Sequence, residues 1–277
     1  MGEFTEVEWT HRKRYDYVND TITTIPGHTW SPWWGCVNIS PACNHCYAET
    51  RDKRKMLSRE THWGKEAPRR MQSDHYWDDP LRWNRRAART GFQELVFCGS
   101  MCDVMERRAD LSAPRKRLFR LIEATPNLIW TLLTKRPQEY VKCLPDAWLE
   151  TPRPNVWLLT TVEAQDYLPR IDELLKAPAV VHGISVEPML GPIKLPANLL
   201  HLGNRAWVIA GGESGPGARP SHPDWFRDLR NQCVRAGVPL FFKQWGEHDS
   251  GLVRIGKHRA GRLLDGQEWS EFPLELS

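Results

Sequence analysis

The chain has 277 residues, of which 40% are hydrophobic and 26% are charged. This balance is typical of a globular protein with a full hydrophobic core and argues against a disordered chain. The net charge of +4 permits a nucleic-acid or phosphorylated substrate without requiring one. No run of about eighteen apolar residues occurs, so we expect no membrane span. The N-terminus has no apolar signal core, so we expect a cytoplasmic protein with reduced thiols.

The first part of the chain is polar and weakly patterned, and we interpret residues 1–26 as an N-terminal arm. We expect residues 27–277 to form one domain, with a basic insertion at about 51–92 and a C-terminal extension from about residue 248. In the insertion, runs of Arg and Lys alternate with aromatic residues. Such a mixture suits a surface that follows a phosphate backbone and stacks on bases. A solvated helix face with ordinary packed aromatics is an equal alternative. The aromatic residues concerned are Trp63, Tyr76, Trp77 and Trp83.

Three of the seven cysteines lie close together in the chain, at Cys36, Cys43 and Cys46. A CxxC pair lets two thiolates reach one metal, and the third cysteine can close over the same ion or cluster. A structural zinc site normally takes four ligands. Three ligands leave one position open, which suits a catalytic metal or an iron–sulfur cluster with one free iron. We predict that this loop precedes the first helix, which begins near Pro41, runs to Glu60 and holds the second and third cysteines in its first turn.

After residue 93, short apolar runs alternate with amphipathic stretches. Continuous apolar strands separated by helices indicate a parallel sheet with both faces covered. With a further strand before the cysteines, the pattern predicts an α/β fold, a partial or complete TIM-like (β/α) barrel with mostly parallel strands. A doubly wound open sheet is the alternative. The predicted strands are 94–99, 128–134, 155–162, 180–186, 206–212 and 239–245.

Polar residues follow each of these six runs. In parallel α/β folds the functional residues lie just past the carboxyl ends of the strands, so these side chains should meet at one mouth. Carboxylates and lysines gathered there would shift one another's pKa values, as in active sites. The remaining cysteines, Cys98, Cys143 and Cys233, have apolar neighbours and are expected in the core. The strand-end residues are Ser100, Cys102, Asp103, Lys135, Arg136, Thr161, Glu163, Ser185, Glu187, Gly211, Gly212, Glu213, Ser214, Lys243 and Gln244.

A series of motifs over residues 27–273 resembles the phage-associated three-cysteine-motif family, which is similar to radical S-adenosylmethionine (SAM) enzymes. The motifs, in chain order, are CYAE, GSMCD, LTKRP, SVEPMLGPI, GGESGPGARP, FFKQWGE and GKHRAGRLLDGQEW. The resemblance implies a partial (β/α) barrel with a [4Fe–4S] cluster on Cys36, Cys43 and Cys46, whose fourth iron holds SAM. Reductive cleavage of SAM would give a 5′-deoxyadenosyl radical that abstracts a substrate hydrogen. The spacing departs from the usual CxxxCxxC, because six residues separate the first two cysteines.

With this resemblance we expect an enzyme that modifies a nucleic acid or a modified nucleotide, for example in phage DNA modification, with a flavodoxin- or ferredoxin-type electron donor. Each candidate residue then takes one of three roles. Cys102, Glu187 and Lys243 are assigned to catalysis, and Lys135, Arg136 and Gln244 to substrate binding. The residues assigned to cofactor binding are Tyr47, Ser100, Asp103, Thr161, Glu163, Ser185, Gly211, Gly212, Glu213 and Ser214.

Two other functions fit the same residues. One is a nucleic-acid-binding module with zinc on the three cysteines and a fourth ligand such as His45. The other is a magnesium-dependent nuclease, since magnesium prefers carboxylate ligands. Its ligands would come from Asp103, Glu163, Glu187 and Glu213.

Overall fold

The computed structural model describes residues 5–16, 19–55 and 60–274. Its centre is a parallel sheet of seven strands, which curls into a half-barrel with helices on its outer face. The strands in chain order are β1 (Arg12–Asp16), β2 (Thr21–Ile25), β3 (His28–Trp30), β4 (Trp33–Trp34), β5 (Arg70–Met71), β6 (Glu94–Cys98), β7 (Leu128–Thr134), β8 (Val156–Thr161), β9 (Val181–Val186), β10 (Ala206–Gly211) and β11 (Leu240–Gln244).

Ten α-helices accompany the strands in the described part of the chain. They are α1 (Tyr47–Lys55), α2 (Asp74–Trp77), α3 (Asp79–Thr90), α4 (Ser112–Glu123), α5 (Tyr140–Cys143), α6 (Asp146–Glu150), α7 (Pro169–Leu175), α8 (Ala197–Leu200), α9 (Pro223–Ala236) and α10 (Lys257–Ala260). Short 3₁₀ helices cover Glu8–Thr10, Pro41–Cys43, Ala109–Leu111, Pro137–Glu139, Gln165–Tyr167 and Gly203–Arg205.

The order of the strands decides between the two predicted architectures. The sheet runs β3, β6, β7, β8, β9, β10 and β11, so every new strand joins the same edge. Because parallel crossovers are right-handed, this order places the crossover helices on one face and curls the sheet towards a barrel. The partial TIM-like barrel is confirmed, and the doubly wound alternative is wrong. All six predicted strands are present within two residues of their predicted bounds, as is a strand before the cysteines.

The core has two layers, one on each face of the sheet. The outer layer packs alternate strand residues against the helices, such as Trp130 of β7 and Phe242 of β11. The inner layer fills the concave face with other strand residues, among them Trp157, Trp207 and Phe241. This alternation explains the continuous apolar runs, because a strand covered on both faces needs apolar side chains at successive positions.

The N-terminal arm predicted for residues 1–26 differs from the structure in its described part. The 3₁₀ helix Glu8–Thr10 packs into the concave face, where Trp9 is 3% exposed and contacts Phe97 and Trp207. The antiparallel ribbon of β1 and β2 projects outwards, with most of its described side chains exposed. The segment is therefore part of the barrel core as well as a projection from it.

The basic insertion packs its aromatic residues inwards. Trp63, Trp77 and Trp83 are 8%, 6% and 3% exposed, and Tyr76 is half-buried and stacked on Trp30. Most of the area of these rings is used in packing, as the alternative of ordinary packed aromatics predicts. Binding of a nucleic acid by this region stays a prediction.

The C-terminal extension covers the free edge of the half-barrel. The backbone N–H of Phe242 in β11 donates to the carbonyl of Trp269, and Glu271 exchanges hydrogen bonds with Leu240. Covering an edge strand in this way satisfies its unpaired backbone groups. Within the described residues, no helix is long and apolar enough to cross a bilayer.

Candidate functional site

A cavity of about 710 Å³ lies at the carboxyl ends of the parallel strands. Most of its lining comes from the cysteine loop, which we define as residues 35–46, the ends of the sheet strands and the N-terminal residues 5–9. Residues of α1, Trp63 and Lys257 complete it. This is the position at which (β/α) barrels carry their active sites.

Of the residues predicted for the site, all line this cavity except Glu163 and Gly211. The assignment of each residue to catalysis, cofactor or substrate stays a prediction. The predicted residues at the cavity are Cys36, Cys43, Cys46, Tyr47, Ser100, Cys102, Asp103, Lys135, Arg136, Thr161, Ser185, Glu187, Gly212, Glu213, Ser214, Lys243 and Gln244.

The local structure around the second and third cysteines differs from the prediction. Cys43 ends the 3₁₀ helix Pro41–Cys43, and α1 begins only at Tyr47. Cys46 directly precedes that helix, and its carbonyl accepts the N–H of Thr50 at 3.0 Å. The predicted single helix over both cysteines is therefore wrong, because the chain makes a separate tight turn between them. The predicted end of that helix, at residues 56–59, lies outside the described residues.

Burial favours the protonated form of Cys36 and Cys46. It raises the pKa of Cys36 to about 12, and Arg136 only partly opposes this. Burial also raises the pKa of Cys46, although hydrogen bonds from the backbone amides of Glu49 and Ala48 lower it. Thiols in such surroundings keep their protons at neutral pH unless a metal displaces them.

Two tryptophans beside these thiols have unsatisfied indole N–H groups. Trp34 and Trp63 form a small buried cluster against which Cys36 and Cys46 pack. The Nε1 atoms of both rings are buried and have no hydrogen-bond partner among the described residues. An indole N–H can only donate, and buried donors in native proteins normally have an acceptor. Thiolate or sulfide sulfur beside these rings would supply one.

The donor set therefore fits an iron–sulfur cluster in its chemistry. The three thiols are free and line the same cavity, and Cys36 and Cys46 pack against the two indoles. Over the described ranges, no group of three or more His, Cys, Asp or Glu side chains is already spaced as a metal site. Any cluster would thus be held by these cysteines after the sulfur atoms draw together.

Strand ends on one side of the half-barrel hold the start of the cysteine loop. Arg136, which follows β7, donates from Nη2 to the carbonyl of Val37 at 3.1 Å. Its Nη1 atom forms an ion pair with Asp103, which follows β6, at 2.7 Å. The hydroxyl of Ser40 donates to Glu163, which follows β8, at 3.2 Å.

The other side of the half-barrel holds the end of the loop. His45 Nδ1 lies 3.2 Å from Glu213 Oε2, just past β10. Arg219 donates from Nε to the same carboxylate at 2.8 Å and from Nη2 to the carbonyl of Pro41 at 3.2 Å. The cysteine loop is thus fixed across the mouth by residues that follow four different strands.

Glu163 is a structural centre of this mouth. It is fully buried and accepts hydrogen bonds from Lys135, from Thr161 at 3.0 Å and from Arg170 at 2.9 Å. Burial alone would raise the pKa of Glu163, but Lys135 and Arg170 outweigh burial and the pKa is lowered. Glu163 is therefore a charged group beneath the cavity lining and holds other residues in place.

Two other acidic strand-end residues, Glu187 and Glu213, are also ion-paired. Lys243 Nζ lies 2.8 Å from Glu187 Oε2, and Arg219 pairs with Glu213. Burial raises the pKa of Glu213, but the Arg219 hydrogen bonds outweigh it and the pKa is lowered overall. Each of these strand-end carboxylates thus has a basic neighbour, which favours a role in positioning.

Several residues of the mouth were not predicted. Arg170 and Arg219 lie six or more residues past their strands, within ordinary helix and loop sequences. Ser40 stands in the cysteine motif, but its partner is 123 residues away. In the sequence, a glutamate at a strand end is twice followed by an arginine six or seven residues later. This repeated spacing is the one signal that could have indicated Arg170 and Arg219.

Comparison with known proteins gave one match. No curated protein matched the chain, and no solved structure did. One family model, described as a protein of unknown function (DUF5131), covers residues 20–273 and so includes the cysteine loop and all the strand ends. The chain belongs to the DUF5131 family.

Proposed function

We propose that the protein is a radical SAM-type iron–sulfur enzyme that acts on a nucleotide or nucleic-acid substrate. One observation carries the proposal: three free cysteines line the mouth of a parallel half-barrel, and two of them, Cys36 and Cys46, pack against two tryptophans with buried indole donors. The motifs that resemble radical SAM enzymes lie at this same mouth. The resemblance and the geometry therefore support the same function.

In this proposal Cys36, Cys43 and Cys46 hold a [4Fe–4S] cluster, and SAM fills the open position. The bound cluster and SAM would supply one-electron reductive cleavage and hydrogen abstraction, with electrons from a flavodoxin- or ferredoxin-type donor. The protein's own part is to position and shield. Trp34, Trp63 and Met101 pack apolar surface against Cys36 and Cys46, which reduces the access of water to these two thiols.

The ion pairs argue against the nuclease alternative. A magnesium site needs carboxylate oxygens that are available to the metal. Asp103, Glu163, Glu187 and Glu213 are each engaged by a basic side chain instead. The zinc alternative uses the same thiols, and metal analysis separates it from the iron–sulfur proposal.

Anaerobic reconstitution with iron and sulfide tests the proposed function. We expect a brown protein with about four irons per chain, as one cubane requires. With dithionite and SAM, this protein should release 5′-deoxyadenosine, measured by liquid chromatography. Replacing all three loop cysteines by serine should abolish both the colour and the product.

The control for this test is Cys143→Ser, since Cys143 packs against the outer core and does not line the cavity. This variant should load iron and cleave SAM like the parent protein. A colourless protein with stoichiometric zinc would contradict the proposal. Iron loading that survives loss of the three cysteines would also contradict it.

Replacing Trp63 by phenylalanine should lower the reduction potential of the reconstituted cluster. The substitution removes an N–H donor beside the sulfur ligands, and hydrogen bonds to sulfur raise the potential. A net contribution of about 1 kcal/mol corresponds to roughly 40 mV for a one-electron couple. The potential is measured by redox titration with electron paramagnetic resonance. Trp148→Phe is the control, because that indole donates to Glu123, and an equal shift in both variants would contradict the assignment.

A further inference from the structure

A second group of polar side chains lines the cavity where β11 meets the N-terminal segment. Lys243 and Gln244 are consecutive residues of β11, yet both line the cavity. The pairing of β10 with β11 skips one residue here, since Ala210 pairs with Phe242 and Gly211 with Gln244. Such a bulge redirects side chains and is common next to active sites. It explains how two successive residues can serve one cavity.

Two hydrogen-bond acceptors in this group have no partner among the residues that the structure describes. Gln244 is 6% exposed, and its Nε2 atom donates to Ser214 Oγ at 2.8 Å. Its Oε1 atom is buried and lacks a hydrogen-bond partner within the described ranges, as does Oε2 of Glu8. Both residues line the cavity. Buried acceptors of this kind normally receive a hydrogen bond from protein, water or ligand. This part of the cavity is therefore suited to a ligand with a hydrogen-bond donor.

The local charge favours a hydrogen-bond donor over an anion. Lys243 is the cation of this group, and it already pairs with Glu187 at 2.8 Å. Glu8 lies close enough to interact electrostatically with the same ammonium group. Two carboxylates therefore neutralise one lysine and leave a net negative charge. A phosphate would be repelled here, whereas an amino group could donate to an acceptor of this group.

The rest of the cavity lining indicates what carries that amino group. Phe97 presents an aromatic ring, which is held by Trp9 with 4.9 Å between ring centroids. Arg51 and Lys257 also line the cavity, and neither forms an ion pair in the part of the chain that the structure describes. A flat ring suits the aromatic surface, and an anionic group suits the two cations. A nucleotide has both features.

We propose that this group of residues is a subsite for the exocyclic amino group of a nucleobase, with Gln244 Oε1 and Glu8 Oε2 as acceptors. The substrate is then a nucleotide unit whose base carries an amino group. The inference rests on the proposed function in taking this cavity as the substrate site. It does not depend on a cluster or on radical chemistry.

Calorimetric titration of the full chain, without reconstitution, tests the subsite. The probes are two pairs of nucleotides that differ at one amino position: cytidine and uridine monophosphates, and guanosine and inosine monophosphates. We expect the amino member of at least one pair to bind about fivefold or more tightly than its counterpart. Gln244→Met should remove this preference, whereas Gln244→Glu should keep it because glutamate retains the acceptor.

Gln93→Met is the matched control, since Gln93 does not line the cavity, and it should keep the full preference. Equal binding within both pairs would overturn the proposal, as would a preference that survives Gln244→Met. Loss of the preference in Gln244→Glu would also overturn the proposal. It would indicate that Gln244 binds the nucleotide through its amide N–H group and not through Oε1. If the protein prefers the amino-bearing nucleotide but does not cleave SAM, the subsite is supported and the proposed radical SAM function is contradicted.

Discussion

Replacing Glu163 by glutamine is expected to lower the free energy of unfolding by about 3 kcal/mol at pH 7, measured by urea denaturation. The substitution leaves Lys135 and Arg170 as mostly buried cations without their charged partner. Removing one member of a buried ion pair is costly for this reason, even when the intact pair contributes little. It also weakens the acceptor that Ser40 of the cysteine loop uses.

The pH dependence of this effect has a definite sign. The pKa of Glu163 is lowered in the folded protein, whereas an unfolded glutamate titrates near about 4.3. Its stabilising effect is therefore complete above about pH 4.3 and is lost as the pH falls through the lower folded value. The difference between the parent protein and Glu163→Gln should accordingly shrink on acidification below about pH 4.

Glu123→Gln provides the control for Glu163, because Glu123 pairs with Arg153 at an exposed position. Exposed pairs contribute only about 0 to 1 kcal/mol. A loss at Glu163 no larger than at Glu123 would contradict a central role for the buried carboxylate. So would a difference from the parent protein that grows as the pH is lowered.

Replacing Trp9 by alanine should cost about 3 to 5 kcal/mol of unfolding free energy. The indole is buried on the concave face between Phe97 of β6 and Trp207 of β10. Its removal leaves a cavity that strands fixed by their own hydrogen bonds cannot fill. The same substitution should weaken ligand binding, because Trp9 also lines the cavity. Urea denaturation and calorimetry measure the two effects.

Ile22→Ala is the matched test on the projecting ribbon of β1 and β2. Ile22 is 64% exposed, so its truncation should change stability by less than about 0.5 kcal/mol. If Trp9→Ala were equally mild, residues 5–10 would be a detachable arm, as their polar sequence first indicated.

The fold could be predicted because its signal is local. Apolar runs such as 128–134 and 206–212 are continuous, short and separated by helical periodicity, which suffices for a parallel sheet. The handedness of crossovers then limits the arrangements that such a sheet can take. Strand ends carry the site in this class of fold, so most cavity residues could be named from position alone.

The remaining features depend on contacts between distant residues. The burial of Trp9 requires a concave surface formed by strands that come some 90 to 200 residues later. Glu163 looks like a ligand in the sequence, and only its contacts with Lys135 and Arg170 reveal a supporting role. The two acceptors of the subsite are likewise visible only once β11 and the N-terminal segment lie together.

The attachments of the cysteine loop have a consequence for the order in which the protein is assembled. Tyr47, next to the loop, bonds the carbonyl of Ser100, 53 residues onward, whereas His45 meets Glu213 after 168 residues. Bringing two residues together costs more chain entropy when more residues separate them. During synthesis the three cysteines therefore emerge long before their last supporting residues exist. Under the proposed function, insertion of the cluster would therefore be a late maturation step that follows release and folding of the chain.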